Sequence, residues 1–326
     1  MFNNKNLLIT GGTGSFGSSF CKHILRKYKP KKIIIYSRDE LKQSIMEKKF
    51  NSKDQKITRF FIGDIRDLDR LTLAMEDVDY VVHAAALKQV DIAEYNPMEF
   101  IKTNVIGSEN IVKAALSTNV KKVIALSTDK ASDPINLYGA TKLTADKIFT
   151  SSNNLVGKKK LRFSVVRYGN VVGSRGSVVQ IFKKLIEQKA KSIPITDNKM
   201  TRFWITLDEA INFVEKCFKV MRGGEIFVPK IPSVKIVDLA KAIVPGRKHK
   251  IIGVRPGEKI AEILITKDES KNTLEFKNHY IVNSEIFGQF KKNKYKLKNF
   301  EYNSTNNKNF LNEKQIRKIC ENLKLI

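Results

Sequence analysis

Cysteine is scarce in this chain, and long apolar runs are absent. Its three cysteines, Cys21, Cys217 and Cys320, stand far apart and form neither a CxxC pair nor a disulfide framework, which favours a reducing environment. No run of about 18 apolar residues occurs, so we expect no membrane-spanning helix. The first residues lack a signal-peptide layout, because the apolar run 7–9 is short and leads directly into glycines. These absences together predict a cytoplasmic protein.

Acidic residues are also few, with 33 Asp and Glu against 60 Lys and Arg, a formal net charge of +27. The excess can indicate nucleic-acid binding, steering of an anionic small substrate, or an ordinary lysine-rich surface, which is the interpretation that we favour. The most basic segment, 290–300, alternates lysines with aromatic residues, as single-strand-binding surfaces do. We favour a solvated loop or edge strand there, because nothing else resembles a nucleic-acid module. We therefore expect no nucleic-acid partner.

Short β-branched or aromatic segments alternate with helical patterns in the first half of the 326 residues, of which 42% are hydrophobic. This alternation predicts an α/β fold with a parallel sheet covered by helices on both faces. After Gly169 the alternation of strand and helix patterns ends, and glycine, proline and runs of charged residues become more frequent. We expect one domain from residues 1–168 with about 203–228, and a smaller, discontinuous α/β substrate lobe from about 169–202 and 229–326. The candidate strands are Asn6–Thr10, Lys32–Tyr36, Ile57–Ile62, Tyr80–Ala84, Lys122–Ser127 and Arg162–Arg167.

A glycine-rich segment, Thr10–Gly17, joins the first strand to the first helix. It contains GxGxxG and the overlapping, looser GxxGxxG. Glycine lets the backbone turn tightly and approach a pyrophosphate, and the helix N-terminus favours the negative charge. The position at the first βα junction predicts a Rossmann-type doubly wound sheet that binds a dinucleotide. The residues expected at the cofactor are Gly11, Thr13, Gly14, Ser15, Phe16 and Gly17.

The end of the second strand indicates which dinucleotide is bound. Arg38 suits the 2′-phosphate of NADP, which we favour, whereas Asp39 keeps NAD possible through the ribose hydroxyls. After the third strand, Asp64 could contact the adenine amine or could cap the next helix. Lys88 could lie near the cofactor or sugar, or could be an exposed loop lysine. Further expected cofactor contacts are Ser37, Lys42, Ile65, Ala84, Ala85 and Ala86.

Two short motifs predict the catalytic chemistry. Tyr138 and Lys142 are four residues apart, so a helix would place them on one face, where an ammonium can lower the pKa of the phenol. Such a pair beside a nicotinamide can take the proton from an alcohol while the hydride leaves. Thr128, Asp129 and Lys130 follow a strand on the edge where doubly wound sheets bind ligands.

These motifs resemble the extended short-chain dehydrogenases/reductases over nearly the whole chain. Within that family the chain is most similar to the inverting UDP-N-acetylglucosamine 4,6-dehydratases, which begin pseudaminic acid and related sugar pathways. Asp129-Lys130 replaces the Asp-Glu of the common sugar-nucleotide 4,6-dehydratases, and Tyr138 replaces the Met of the membrane-bound C5-retaining relatives. The matching segments are 10–17, 36–42, 83–88, 127–131, 138–142, 167–171, 200–203 and 255–259.

The residues and the resemblance together suggest a mechanism. Tyr138 takes the C4 hydroxyl proton as hydride passes to NADP⁺, with Lys142 supporting the phenolate and Thr128 orienting the hydroxyl. Lys130 removes the C5 proton, which requires a lowered pKa. Asp129 protonates the leaving C6 hydroxyl, which requires a raised pKa. Hydride returns to C6, and the resemblance implies reprotonation of C5 on the opposite face and a symmetric homo-oligomer.

A UDP-sugar, expected to be UDP-N-acetylglucosamine or a close relative, brings two phosphates that guanidinium groups can bind. Each candidate in the lobe could equally be an ordinary surface residue. The expected substrate-binding residues are Lys88, Asn170, Arg175, Arg202, Arg255, Glu258 and Glu262. No metal ligands are expected.

Two other functions remain open. A UDP-sugar 4-epimerase or reductase of the same fold would share Tyr138 and Lys142 but have no use for Asp129-Lys130. A cofactor-sensing or nucleic-acid-binding protein with a dead active site is the alternative from another class, and the intact Tyr138/Lys142 pair disfavours it.

Overall fold

The computed structural model describes residues 1–174, 176–283, 297 and 299–326. Its strands in chain order are β1 (Asn6–Thr10), β2 (Lys32–Ser37), β3 (Thr58–Ile62), β4 (Tyr80–His83), β5 (Lys122–Thr128), β6 (Arg162–Tyr168), β7 (Asn170–Val171), β8 (Ser192–Ile195), β9 (Thr201–Ile205), β10 (Glu225–Pro229), β11 (Ser233–Lys235), β12 (Lys248–Ile251), β13 (Ile263–Ile265), β14 (Thr273–Glu275), β15 (His279–Asn283) and β16 (Tyr302–Asn303).

The helices alternate with these strands. They are α1 (Ser15–Lys27), α2 (Glu40–Glu47), α3 (Ser52–Ile57), α4 (Leu68–Met75), α5 (Val90–Tyr95), α6 (Pro97–Phe100), α7 (Gly107–Ser117), α8 (Leu137–Ser151), α9 (Val178–Glu187), α10 (Leu207–Val220), α11 (Ile236–Ile243), α12 (Lys267–Ser270) and α13 (Glu313–Asn322). A π-helical turn covers Ile101–Ile106, and short 3₁₀ turns cover Asp129–Ala131 and Ser152–Asn154.

A central sheet has the order β14-β15-β10-β6-β5-β4-β1-β2-β3. From β3 to β10 all neighbours are parallel, which confirms the predicted Rossmann-type α/β fold. All six predicted strands are present within one residue at each end; the third starts at Thr58, because Ile57 closes α3. Every residue of β1 is buried, as expected for a strand covered on both faces. The strand order reverses between β1 and β4, the point where such sheets bind ligands.

The C-terminal part of the chain extends this sheet. Strand β15 pairs antiparallel with β10, and β14 pairs antiparallel with β15. The sequence analysis placed residues 273–283 in the second lobe, so their position in the central sheet is a correction. Residues 280–282 form an apolar run that pairs with β10, and local sequence pattern alone does not indicate this pairing.

Hydrophobic side chains form two main buried clusters. The larger contains the central sheet, α1, α7 and α10, and it extends to Leu264 and Tyr302. The smaller joins α9, α11 and α13 with β8 and Trp204. The division into a cofactor-binding domain and a substrate lobe stays a prediction, and the strand pairing places 273–283 with the central sheet. In the described segments no helix combines the length and apolarity needed to cross a bilayer.

Candidate active site

The glycine loop is too crowded for side chains. A Cβ at Gly17 would lie 2.6 Å from the Gly12 Cα, and one at Gly11 would lie 2.8 Å from the Ala85 backbone nitrogen. Gly11 also has a φ of 63°, which glycine adopts without strain. Helix α1 starts with no side-chain cap and no acidic residue in its first turn. Its first N–H groups therefore lack a competing anion of their own, and this arrangement fits a dinucleotide pyrophosphate.

The side chains at the end of β2 and β3 have definite partners. Asp39 caps α2 by accepting a hydrogen bond from the Lys42 backbone N–H, 2.9 Å away, and it also pairs with the Lys42 ammonium. Arg38 is half-exposed, and its Nη1 lies 3.5 Å from Asp64 Oδ2. Asp64 accepts hydrogen bonds from Arg66 instead of capping α4. The cap of α4 is Asp67, so the capping alternative for Asp64 is wrong.

The segment after β4 is held against the glycine loop and α8. Thr10 Oγ1 lies 2.8 Å from His83 Nδ1 and accepts hydrogen bonds from the N–H groups of Ala84 and Ala85. Asn104, in the π-helical turn, bonds both the N–H and the C=O of Leu87 at 2.9 Å. Its amide also donates to Thr141 on α8 at 3.1 Å. Asn104 thus fixes the loop that carries the exposed Lys88 relative to the catalytic helix.

Helix α8 buries Tyr138 and Lys142 one turn apart. Its cap is Asn136, which accepts from the Gly139 N–H and donates to the Gly257 carbonyl, both at 2.8 Å.

Lys142 Nζ donates to the Leu126 carbonyl at 2.8 Å, and burial lowers the pKa of its ammonium. Burial raises the pKa of Tyr138 to about 12, opposed by the Lys130 charge and a hydrogen bond with Thr128. In this structure the cation that favours the Tyr138 phenolate most is therefore Lys130.

Lys130 lies between two buried carboxylates. Its Nζ is 3.1 Å from Asp129 Oδ1 and 3.1 Å from Glu262 Oε1. Thr128 also donates to Asp129 Oδ1, at 3.0 Å. The second oxygens, Asp129 Oδ2 and Glu262 Oε2, are buried without a hydrogen-bond partner. Burial lowers the pKa of the Lys130 ammonium, but both carboxylates outweigh burial and place that pKa above its ordinary value.

This raised pKa corrects one expectation. A basic Lys130 was expected to have a lowered pKa, but the carboxylate beside it keeps it protonated. Asp129 is adjacent in the sequence, but the sequence could not show the second carboxylate, because Glu262 comes from a segment 132 positions away along the chain. A protonated Lys130 can stabilise negative charge, but it must lose its proton before it can act as a base.

The expected substrate-binding residues differ in their partners and positions. Arg202 lies 3.8 Å from Glu262, and Arg255 pairs with Glu258. Glu258 and Glu262, four apart in sequence, thus have different partners. Asn170 is exposed at the start of β7, where it pairs with Trp204 of β9. Arg175, and all but Leu297, Asn299 and Phe300 of the basic 290–300 segment, lie outside the described residues.

Sequence analysis missed a buried ion-pair group beneath the site. Arg167, fully buried on β6, bonds Asp146 at 3.2 Å and Glu269 at 2.9 Å. Asp146 follows Lys142 by four residues on α8, a spacing that could have indicated it. Glu269 completes the capping box of α12 by accepting from the Thr266 N–H, so this group fixes α12 against the catalytic helix. Within the segments that the structure describes, no cluster of His, Cys, Asp or Glu could hold a metal ion.

Comparison with known proteins identifies relatives over the full chain. A family described as polysaccharide biosynthesis protein matches residues 7–284. A Campylobacter jejuni subsp. jejuni protein named UDP-N-acetylglucosamine 4,6-dehydratase (inverting) is 56% identical, covering 98% of each chain. A Rickettsia bellii protein named UDP-glucose 4-epimerase is 44% identical, covering 86% of this chain and 83% of its own.

The solved structures agree with the sequence comparison. The X-ray structure of Pen from Bacillus thuringiensis has a TM-score of 0.92 and 39% identity and covers 100% of both chains. The resemblance drawn from the sequence motifs is thereby confirmed. The chain belongs to the polysaccharide biosynthesis protein family, among the extended short-chain dehydrogenases/reductases.

Proposed function

We propose that this protein is an inverting UDP-N-acetylglucosamine 4,6-dehydratase. It would convert UDP-N-acetylglucosamine into a UDP-2-acetamido-2,6-dideoxy-4-hexulose by oxidation at C4, loss of water across C5 and C6, and hydride return to C6. The name and the 56% identity of the Campylobacter jejuni relative support this assignment. The observation that carries it is the Asp129–Lys130 pair, held at 3.1 Å beside the buried Tyr138.

The proposed roles follow from the contacts of each side chain. A bound nicotinamide dinucleotide supplies the acceptor for the C4 hydride and the donor for C6. Tyr138 takes the C4 hydroxyl proton, and Thr128, which hydrogen-bonds Tyr138, orients that hydroxyl. Lys142 donates to the Leu126 carbonyl, and we propose that it supports the phenolate during C4 oxidation together with Lys130, the cation that favours the phenolate in this structure. Asp129 protonates the C6 hydroxyl, and Lys130 takes the C5 proton.

NADP is the cofactor that we favour. The Asp39 carboxylate accepts the Lys42 N–H and pairs with its ammonium. Arg38 remains half-exposed beside Asp64, and its guanidinium could turn to a 2′-phosphate. The glycine loop would hold the pyrophosphate. We place the enzyme in the cytoplasm, where its three buried, unpaired cysteines would stay reduced. Assembly into a homo-oligomer stays a prediction.

The decisive experiment follows UDP-N-acetylglucosamine with the purified protein in D₂O. Mass spectrometry and NMR should show loss of water, deuterium at C5 and the inverted C5 configuration. Tyr138→Phe should abolish C4 oxidation. Lys130→Ala should still oxidise C4 but not release water or exchange the C5 hydrogen; Lys113→Ala, on the exposed face of α7, serves as the matched control. C5 exchange at the wild-type rate in Lys130→Ala would disprove its role as base.

A 4-epimerase is the second candidate, because the Rickettsia bellii relative carries that name. An epimerase returns hydride to C4 and keeps the C6 hydroxyl, so its product has the mass of the substrate. An epimer formed without loss of water would favour this activity over dehydration.

A further inference from the structure

Backbone hydrogen bonds fix Glu262 beside Asp129 and Lys130. Its N–H donates to Ser304 Oγ and its carbonyl accepts from the Ser304 N–H, both at 2.9 Å. Ser304 Oγ in turn lies 2.8 Å from Thr201 Oγ1 on β9. The side chain of Glu262 is 1% exposed. Its carboxylate therefore has a fixed place 3.1 Å from Lys130 Nζ.

The proposed chemistry leaves Lys130 with a proton to lose. If Asp129 is to protonate the C6 hydroxyl, it must be neutral when it acts, and it then no longer stabilises the Lys130 ammonium. Glu262 is the other carboxylate in contact with Lys130 in the described part of the chain. Its Oε2 is buried without a hydrogen-bond partner, so one oxygen is free to hold a proton.

Resting on the dehydratase function above, we propose that Glu262 is the positioning residue that holds Lys130 and accepts its proton before elimination. One Lys130 N–H bond breaks and a Glu262 O–H bond forms, leaving a neutral amine beside a neutral acid. The amine takes the C5 proton, and the C5–H electron pair moves toward the C4 carbonyl. Asp129 protonates the departing C6 hydroxyl as the C6–O bond breaks. C5 is reprotonated on the opposite face by a proton drawn from solvent, and the pair releases its extra proton to solvent, which restores the ammonium and carboxylate.

The charged groups around Glu262 are consistent with this exchange. Asp129 and Lys130 face it from the end of β5, and Arg202 faces it from β9 at 3.8 Å. Burial, the largest cause, raises the pKa of Glu262 above its ordinary value, and this cause persists when Asp129 is neutral; a charged Asp129 adds to it, while Lys130 and Arg202 oppose it. A carboxyl with a raised pKa binds a proton more readily than an exposed one.

The test compares Glu262→Gln with Glu262→Asp in the full-length protein loaded with NADP⁺ and UDP-N-acetylglucosamine. Single-turnover absorbance of the reduced nicotinamide measures C4 oxidation, and mass spectrometry measures water loss. Glu262→Gln should slow water loss about 100-fold more than it slows C4 oxidation. Its elimination rate should rise more steeply with pH, because the Lys130 proton must then leave to solvent. Glu262→Asp should recover part of the elimination rate.

Glu215→Gln is the matched control, because Glu215 is a buried carboxylate on α10 bound by His23, Lys27 and Lys219 far from this cluster. It should keep both rates. Unchanged elimination in Glu262→Gln would overturn the proposal, as would equal slowing of oxidation and elimination with an unaltered pH profile. If Glu262→Gln does not fold, the test uses Glu262→Asp and the ratio of its elimination rate to its oxidation rate. A ratio equal to that of the wild type refutes the proposed role of Glu262 as proton acceptor. A wild-type enzyme that releases no dehydrated product would instead refute the proposed function.

Discussion

The buried His83 should make the fold sensitive to mild acid. Burial, aided by the Lys142 charge, lowers the pKa of His83 from 6.5 to about 3. The folded protein therefore keeps this imidazole neutral, whereas the unfolded chain binds a proton below pH 6.5. Stability contributed by His83 is complete above that pH and is lost as the pH falls toward 3. At pH 5 the free energy of unfolding is lower by about 2 kcal/mol, since the pKa of His83 in the unfolded chain lies about 1.5 units above that pH.

Urea unfolding of the cofactor-free protein at about pH 7.5 and about pH 5 measures this loss. Between the two pH values, the free energy of unfolding of His83→Gln should fall by about 2 kcal/mol less than that of the wild type, whatever the absolute stability of the variant. His249→Gln, on the peripheral strand β12, serves as the control and should keep the wild-type loss. The pKa of His279 is also lowered, to about 4, by burial, and its contribution cancels because it is present in both proteins. Equal pH losses in wild type and His83→Gln would refute the reasoning.

Three further substitutions test the cofactor site and its support. Gly17→Ala should weaken NADPH binding by about 1–3 kcal/mol in a fluorescence titration, because its Cβ would lie 2.6 Å from Gly12 Cα; Ser18→Ala is the control, and tight binding by the Gly17 variant would contradict the crowding argument. Arg38→Ala should weaken NADP⁺ binding about 10- to 100-fold in calorimetry but leave NAD⁺ binding unchanged, and parallel loss of both would argue against a 2′-phosphate contact. Asp146→Asn should lower the free energy of unfolding by about 3–5 kcal/mol, because the buried Arg167 loses one carboxylate; a change near zero would show that Glu269 alone suffices.

The central sheet and its first βα turn could be predicted from the sequence. The strands from β1 to β6 are short, apolar and rich in β-branched residues, and each is followed by a segment with helical periodicity. The local pattern therefore predicts both the type of each secondary-structure element and its position in the chain. Strand β15 was assigned to the wrong lobe because its partner, β10, lies some 50 positions away, and sequence periodicity contains no pairing information. Long-range pairing of this kind is decided by tertiary packing.

The candidate site shows the same limit. Tyr138 and Lys142 were found from their spacing, since a single helix places them on one face. The raised pKa of Lys130 was not predicted, because it depends on Asp129 together with Glu262, and Glu262 approaches through the β13–β16 pairing. Charge in a buried cluster depends on every group within a few ångströms, and those groups are assembled from distant segments.

The π-helical turn and Asn104 come early in the chain, whereas Glu262, Arg202 and Ser304 come from its last 125 residues. A chain truncated before residue 202 would therefore lack the carboxylate that faces Lys130 and the groups that hold it. The catalytic cluster is complete only when the C-terminal third of the chain has packed against the end of β5.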